Sequence, residues 1–231
     1  MKRSRLLHFF TGFLLLGGLY LAMMWMLLFV DWIDFKPSAF SHPNLYQNIV
    51  LAAVGVFFLV LLLESILRGA VLGILLRAFS PAWAVGFSVI LFAALFLFSP
   101  LPGVQVDSPE EADAGIRHLI LIKERLAQPL TWILGFVNLL LLGCILGYSR
   151  YKTASIWLGT GLLSGGLFSH VLLRSYTTGI APSMKHMKVF VGESYISGAI
   201  PFCILISAFL LVHVFTLLDG EPTPPVIDED H

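Results

Sequence analysis

The chain has 231 residues, 58% of them hydrophobic and only 12% charged, and its formal net charge is zero. Soluble domains carry about 25% charged residues, and a mean hydropathy of +0.89 lies on the membrane side. With no basic tract and no interleaving of aromatic and basic residues, nucleic acid is not an expected partner.

The first apolar segment, Leu6–Val30, follows Met-Lys-Arg-Ser-Arg. The apolar core of a signal peptide is about 7–15 residues long and ends at a small-residue cleavage site. This run is longer and has no such end, so the expectation is an uncleaved first membrane helix. Five further apolar runs follow: from about Ile49 to Arg77, Ala82–Phe98, about Pro129 to Tyr148, Ser155–Leu173 and Ala199–Leu218. Each reaches or nearly reaches the ~20 residues that cross a bilayer as a helix. Backbone polar groups in lipid must pair within the segment, so these runs predict helices rather than strands. The fold class expected is all-α: a polytopic helix bundle of about six transmembrane helices, forming one membrane domain over 1–218.

Two polar stretches interrupt this pattern. The insertion at 99–128 contains Ser108-Pro109-Glu110-Glu111, which has the form of a capping box with proline at the first helical position. Ile116, Leu119, Ile120 and Leu126 then oppose Arg117, Lys123, Glu124 and Arg125. That pattern predicts a short amphipathic helix, lying on the membrane surface or packed over the mouth of the bundle. The tail at 219–231, with three prolines and five acidic residues, is expected to be disordered. Positive charge in short loops predicts orientation. Lys2, Arg3 and Arg5, then Arg77, then Arg150 and Lys152, fall on one side, which places both termini in the cytoplasm and the protein in the plasma (cytoplasmic) membrane.

Two ionisable residues stand inside the second run, Glu64 and Arg68. Charges at membrane depth cost at least ~2.5–3.5 kcal/mol each, so they mark a pairing or a functional site. A spacing of four puts both on one helix face, where they neutralise each other. After them come Gly69, Arg77, Ser80-Pro81, Trp83-Ala84 and Ser88-Val-Ile-Leu-Phe92-Ala93. Further on stand Gly147-Tyr148-Ser-Arg150, Thr153-Ala-Ser155-Ile-Trp157 and Gly161-Leu162. This ordered set, spanning about 49–168, resembles the CPBP family, the intramembrane endopeptidases related to CAAX prenyl proteases and bacteriocin-immunity proteins.

The resemblance implies Glu-Glu-x-x-x-Arg on one helix, Phe-x-x-x-His on the next and His-x-x-x-Asn on a later one. In that scheme the first glutamate and a histidine activate water, while the second histidine and the asparagine stabilise the oxyanion. Alignment on Arg68 puts Leu63 at the first glutamate. Alignment on Phe92 puts Phe96 at the first histidine, and alignment on Ser155-Ile-Trp157 and Gly161-Leu162 puts Leu163 and Leu167 at the second histidine and the asparagine. All four chemical positions are therefore apolar. The retained residues, Glu64, Arg68, Gly69, Phe92 and Gly161, are those expected to hold the bundle together.

The remaining polar residues offer few substitutes. His170 lies two turns after Leu163 and four residues before Arg174; its structural reading is a histidine bonded to a carbonyl or water. His118 and His186 read as solvated, and His213 as a packing residue. Zinc needs three or four convergent ligands, and no two histidines have helical ligand spacing, so no metal site is expected. Glu64 reads as a strut paired with Arg68, against a proton relay as the functional alternative. Gly161-x-x-x-Gly165 lets a helix approach closely, as internal packing or as a dimer face. Cys144 and Cys203 read as small apolar fillers, and nothing requires a disulfide between them.

The expected function is that of a non-catalytic family member that binds another membrane protein or a lipid-like ligand in the remnant cavity, with no cofactor; membrane lipids and a second copy of the chain are the other expected partners. One alternative is a working endopeptidase that uses displaced residues such as Glu64 and His170, with zinc entering only in that case. Another is a small transporter or channel subunit with Glu64 as its ionisable site.

Overall fold

The structure, a computed structural model, describes residues 5–37, 44–98, 129–153, 155–180, 190–192 and 197–218. The insertion at 99–128 with its capping box and His118, His186 with Lys185 and Lys188, and the acidic tail at 219–231 all lie outside the described residues.

Six helices form where the six apolar runs predict them. Helix α1 is Arg5–Phe29, α2 is Leu45–Ala78, α3 is Pro81–Phe98, α4 is Pro129–Thr153, α5 is Trp157–Tyr176 and α6 is Ala199–Leu218. Four of them are long and apolar enough to cross a membrane: α1, α2, the Ile133–Thr153 part of α4, and α6. The Ala82–Phe96 part of α3 is apolar but shorter. Helix α5 is not in that set, because glycine, serine, threonine and His170 replace the leucines that a lipid-facing helix needs. It sits instead among its neighbours, with Leu158 through Gly166 buried without a break. A helix wrapped by other helices has no need to be apolar on every face.

Helices α1 and α5 run parallel along their whole length. Gly12 meets the backbone of Leu158 and Leu162, Gly17 meets Gly165, and the Ser169 hydroxyl donates to the Gly17 carbonyl at 3.1 Å. A Cβ added at Gly161 would stand 2.1 Å from the Phe9 carbonyl oxygen, and one at Gly165 would stand 2.2 Å from that of Phe13. Small residues let two backbones approach this closely, which is how helices associate where lipid removes the hydrophobic drive. The Gly161-x-x-x-Gly165 face is thus occupied by α1 of the same chain.

The all-helical expectation misses one feature at the far end of this pair. Helix α1 stops where Asp31 takes a left-handed conformation (φ 56°) and the Trp32 N–H returns to the Leu27 carbonyl. Strand β1, Ile33–Phe35, then pairs antiparallel with β2, Thr177–Gly179, which follows α5 directly, with Ile33 opposite Gly179. Lys36 Nζ donates to the Arg174 and Ser175 carbonyls, both at 2.9 Å, and so caps the C-terminus of α5 with a cation.

Helix α2 is the outer helix. Val50, Leu51, Val54, Phe58, Leu59 and Leu62 are all exposed, a surface suited to lipid. The two cysteines also face outward: both are free and exposed, so neither fills the core as expected.

Candidate functional site

The site is built where α2, α3, α4 and α5 meet. Helix α2 is not regular there. From Ser65 to Val71 it winds as a π-helix, and the Leu72 N–H reaches back to the Leu67 carbonyl. A π segment inserts an extra residue into a helix and often marks a functional position. Here it lies directly after Glu64 and contains Arg68. Val60, Glu64, Leu67, Arg68 and Leu72 are all buried, so both charged side chains face the protein rather than the lipid.

Arg68 Nη1 donates to Glu64 Oε1, the i, i+4 pairing that the spacing predicts. The guanidinium also lies over the ring of Phe92 on α3, 5.0 Å from its centroid. A cation held over an aromatic face gains by attraction to the ring quadrupole, more so when it is desolvated. Three residues that carry the family resemblance therefore form one cluster. Phe92 is closed in by Phe96, with centroids 4.7 Å apart, and by Gly143 of α4, where an added Cβ would lie 3.3 Å from the ring. The other carboxylate oxygen, Oε2, points at α5. An ideal Cβ at Gly159 would sit 3.1 Å from it, so the absence of a side chain at Gly159 is what admits the carboxylate. Oε2 is buried and has no hydrogen-bond partner among the described residues. Arg150 is near enough to act on Glu64 electrostatically.

The four positions expected to carry chemistry are packed instead. Leu163 is a core residue, 2% exposed, and Leu63, Phe96 and Leu167 pack against the same hydrophobic cluster. His170 is buried on α5, eleven residues beyond Gly159. At ~1.5 Å of rise per residue that is about 16 Å along the helix from the carboxylate's neighbour, so the structure does not bring Glu64 and His170 together. His213 bonds to the Tyr148 hydroxyl at 2.7 Å on an exposed face. Among the described residues no group of three or more His, Cys, Asp or Glu is placed to hold a metal. The donor set at the corner, one carboxylate already held by Arg68 among leucine and phenylalanine, does not fit zinc, which takes three or four ligands.

One role differs from the sequence-based expectation. Gly161 does lock the bundle, but Gly69 does not: nothing lies within 4 Å of where its Cβ would be. It opens instead onto a pocket of about 400 Å³ lined by Arg5, Ser65, Gly69, Arg150, Ser155 and Trp157. This pocket, just above the ion pair, was not legible in the sequence. Arg5 and Arg150 stood out only as markers of orientation, and their meeting depends on how α1 and α4 pack.

Buried charges inside an apolar helical bundle with lipid-suited outer faces define an integral membrane protein. Residues 46–165, more than half of the chain, match the family described as type II CAAX prenyl endopeptidase Rce1-like, and the chain belongs to that family. No curated protein and no solved structure matches the chain.

Proposed function

We propose that this chain is a family member without peptidase activity, which binds a lipid or another membrane protein, or pairs with a second copy of itself. The observation that carries the reading is the packing of Leu63, Phe96, Leu163 and Leu167 into one hydrophobic cluster. Leucine and phenylalanine neither move a proton nor donate to an oxyanion, and losing a single such donor costs ~10²–10³ in rate. The remaining carboxylate, Glu64, serves as a strut bonded to Arg68. The proposed setting is the cytoplasmic membrane with both termini inside. In support, Arg5, Arg77, Arg150 and Lys152 all stand at or near helix ends, and the ring of His8 near the start of α1 packs against Phe215 near the end of α6.

A second reading, an endopeptidase acting through Glu64, draws support from the unpartnered Oε2. One experiment separates the two. Purified protein in lipid nanodiscs is incubated with prenylated and transmembrane peptides, with and without zinc, and products are followed by mass spectrometry. No cleavage above the peptide-only control is expected. Cleavage that disappears on Glu64→Gln or His170→Ala would overturn the non-catalytic reading.

A further inference from the structure

Helix α3 is too short for the bilayer that its neighbours fit. Its apolar part, Ala82–Phe96, covers about 22 Å at ~1.5 Å per residue, against a hydrocarbon core of ~30 Å. Helix α6, Ala199–Leu218, reaches about 30 Å, and α1, Arg5–Phe29, about 37 Å. Aromatic residues mark the headgroup level at the start of α3. Trp83, in its first turn, is 66% exposed. Its ring centroid lies 6.0 Å from that of Phe87, which lies 5.3 Å from that of Phe79 in the turn after α2. The adjoining helix marks the same level. A Cβ at Gly147 of α4 would stand 3.2 Å from Val85, and Tyr151, one turn on toward the same end, is exposed. From Trp83 to the end of α3 at Phe98 is again about 22 Å.

A short span is accommodated by thinning the bilayer, by snorkelling of long flanking side chains, or by association with another helix. Tilting does not help, because it lowers the height that the helix covers. Snorkelling needs a long basic side chain at the far end; no Lys or Arg stands in Pro81–Phe98, and the next in the chain is Arg117. Nor can α3 slide to another depth. A Cβ at Gly143 of α4 would stand 3.0 Å from Val89, and Phe92 lies under the guanidinium of Arg68. Lipid or another helix is left to cover the outer face. The exposed side chains there are Phe87, Ile90, Leu91 and Leu95, while Ala84, Ser88 and Ala93 are turned inward. Close association of membrane helices uses small residues, as α1 and α5 do. Bulky apolar side chains turned outward suit acyl chains instead.

We propose that the outer face of α3 is a lipid-binding surface that holds a locally thinned bilayer, and that it selects phospholipids with acyl chains about three-quarters of the ordinary length. The bundle is then bordered by membrane of full thickness along α1 and α6 and by thinned membrane along α3. The proposal goes beyond the non-catalytic reading and does not rest on it, since the deficit in length stands whether or not peptides are cleaved.

The test places the full chain in vesicles of dioleoyl phosphatidylcholine that contain brominated phosphatidylcholine of shorter (myristoleoyl) or longer (eicosenoyl) chains. Quenching of a bimane label by the brominated lipid is the readout. The label is attached at Ile90→Cys on α3 or, for comparison, at Leu14→Cys on α1, with Cys144 and Cys203 replaced by alanine. All four positions are exposed, so these variants are expected to melt like the unaltered protein. At Ile90→Cys the short-chain lipid should be favoured over the long-chain lipid roughly threefold, and at Leu14→Cys that preference should vanish. Leu95→Cys, also exposed on α3, repeats the measurement if Ile90→Cys fails to fold. Equal quenching by the two lipids on α3 would overturn the proposal. An equal short-chain preference on α1 and α3 would assign it to the whole bundle and overturn the local site. Protection from both lipids, with disulfide cross-linking of Ile90→Cys between chains, would show that a second copy covers the face and would overturn it too.

Discussion

Toward α1, helix α5 offers bare backbone: Gly161 and Gly165 lie so close to the Phe9 and Phe13 carbonyls that no side chain fits. Toward α2 it offers another glycine, Gly159, but there the vacated space is filled by the carboxylate of Glu64. One helix is therefore held on one side by the absence of side chains and on the other by a buried charge with its partner. The first contact is tight and unforgiving, because backbone cannot yield. The second is conditional, because it fails when one charge is removed and the other is left buried. A membrane protein can thus build its core without a hydrophobic drive in two ways, and they fail differently under mutation.

The largest effect is expected at the charged corner. Arg68→Leu strands Glu64 in a buried position and should cost ~3–5 kcal/mol. Adding Glu64→Gln to Arg68→Leu should recover much of that loss, because no bare charge remains. Denaturation in mixed micelles measures both, and equal stability of the single and double variants would break the contrast by showing that the corner is not held by charge. The glycine seam comes next. Gly165→Ala must push α1 away from α5 and should cost ~1–3 kcal/mol, the range for overpacking a tight contact. If the variant melts with the unaltered protein, the seam is looser than its geometry says.

A smaller loss, about 1 kcal/mol, is expected for Lys36→Met, which removes the cation that caps the α5 carbonyls at the strand end. Amide exchange of the last turn of α5 would report it locally. The smallest change has the opposite sign. Gly69 has open space around it, so Gly69→Ala should gain ~0.5 kcal/mol from the lower entropy of the unfolded chain. A loss there as large as at Gly165 would mean that Gly69, too, is a packing position.

The pairing of Glu64 with Arg68 was legible from spacing alone, because two opposite charges four residues apart in an apolar run have nowhere better to go. The six helices were legible for an equally direct reason: a backbone in lipid must satisfy itself, so a long apolar run can only be a helix. The closeness of a partner to Gly161 and Gly165 was also readable, since small residues at that interval leave a groove. That the partner is α1 of the same chain was not, because a groove does not name what fills it.

What only the tertiary structure decided follows from this limit. The π segment after Glu64 depends on how α2 meets α3 and α5, and no residue in Ser65–Val71 announces it. The strand pair after α1 and α5 exists because those helices run parallel and end together; three-residue strands have no periodicity to read. The weakly apolar character of α5 makes sense only once its neighbours are seen to enclose it. The meeting of Arg5 with Arg150, far apart in the chain, follows from α1, α4 and α5 reaching the same end of the bundle. Sequence determines what each segment must bury and what it must neutralise, since those are local costs of leaving water. Which segments share the burden is set by packing, where each contact depends on every other.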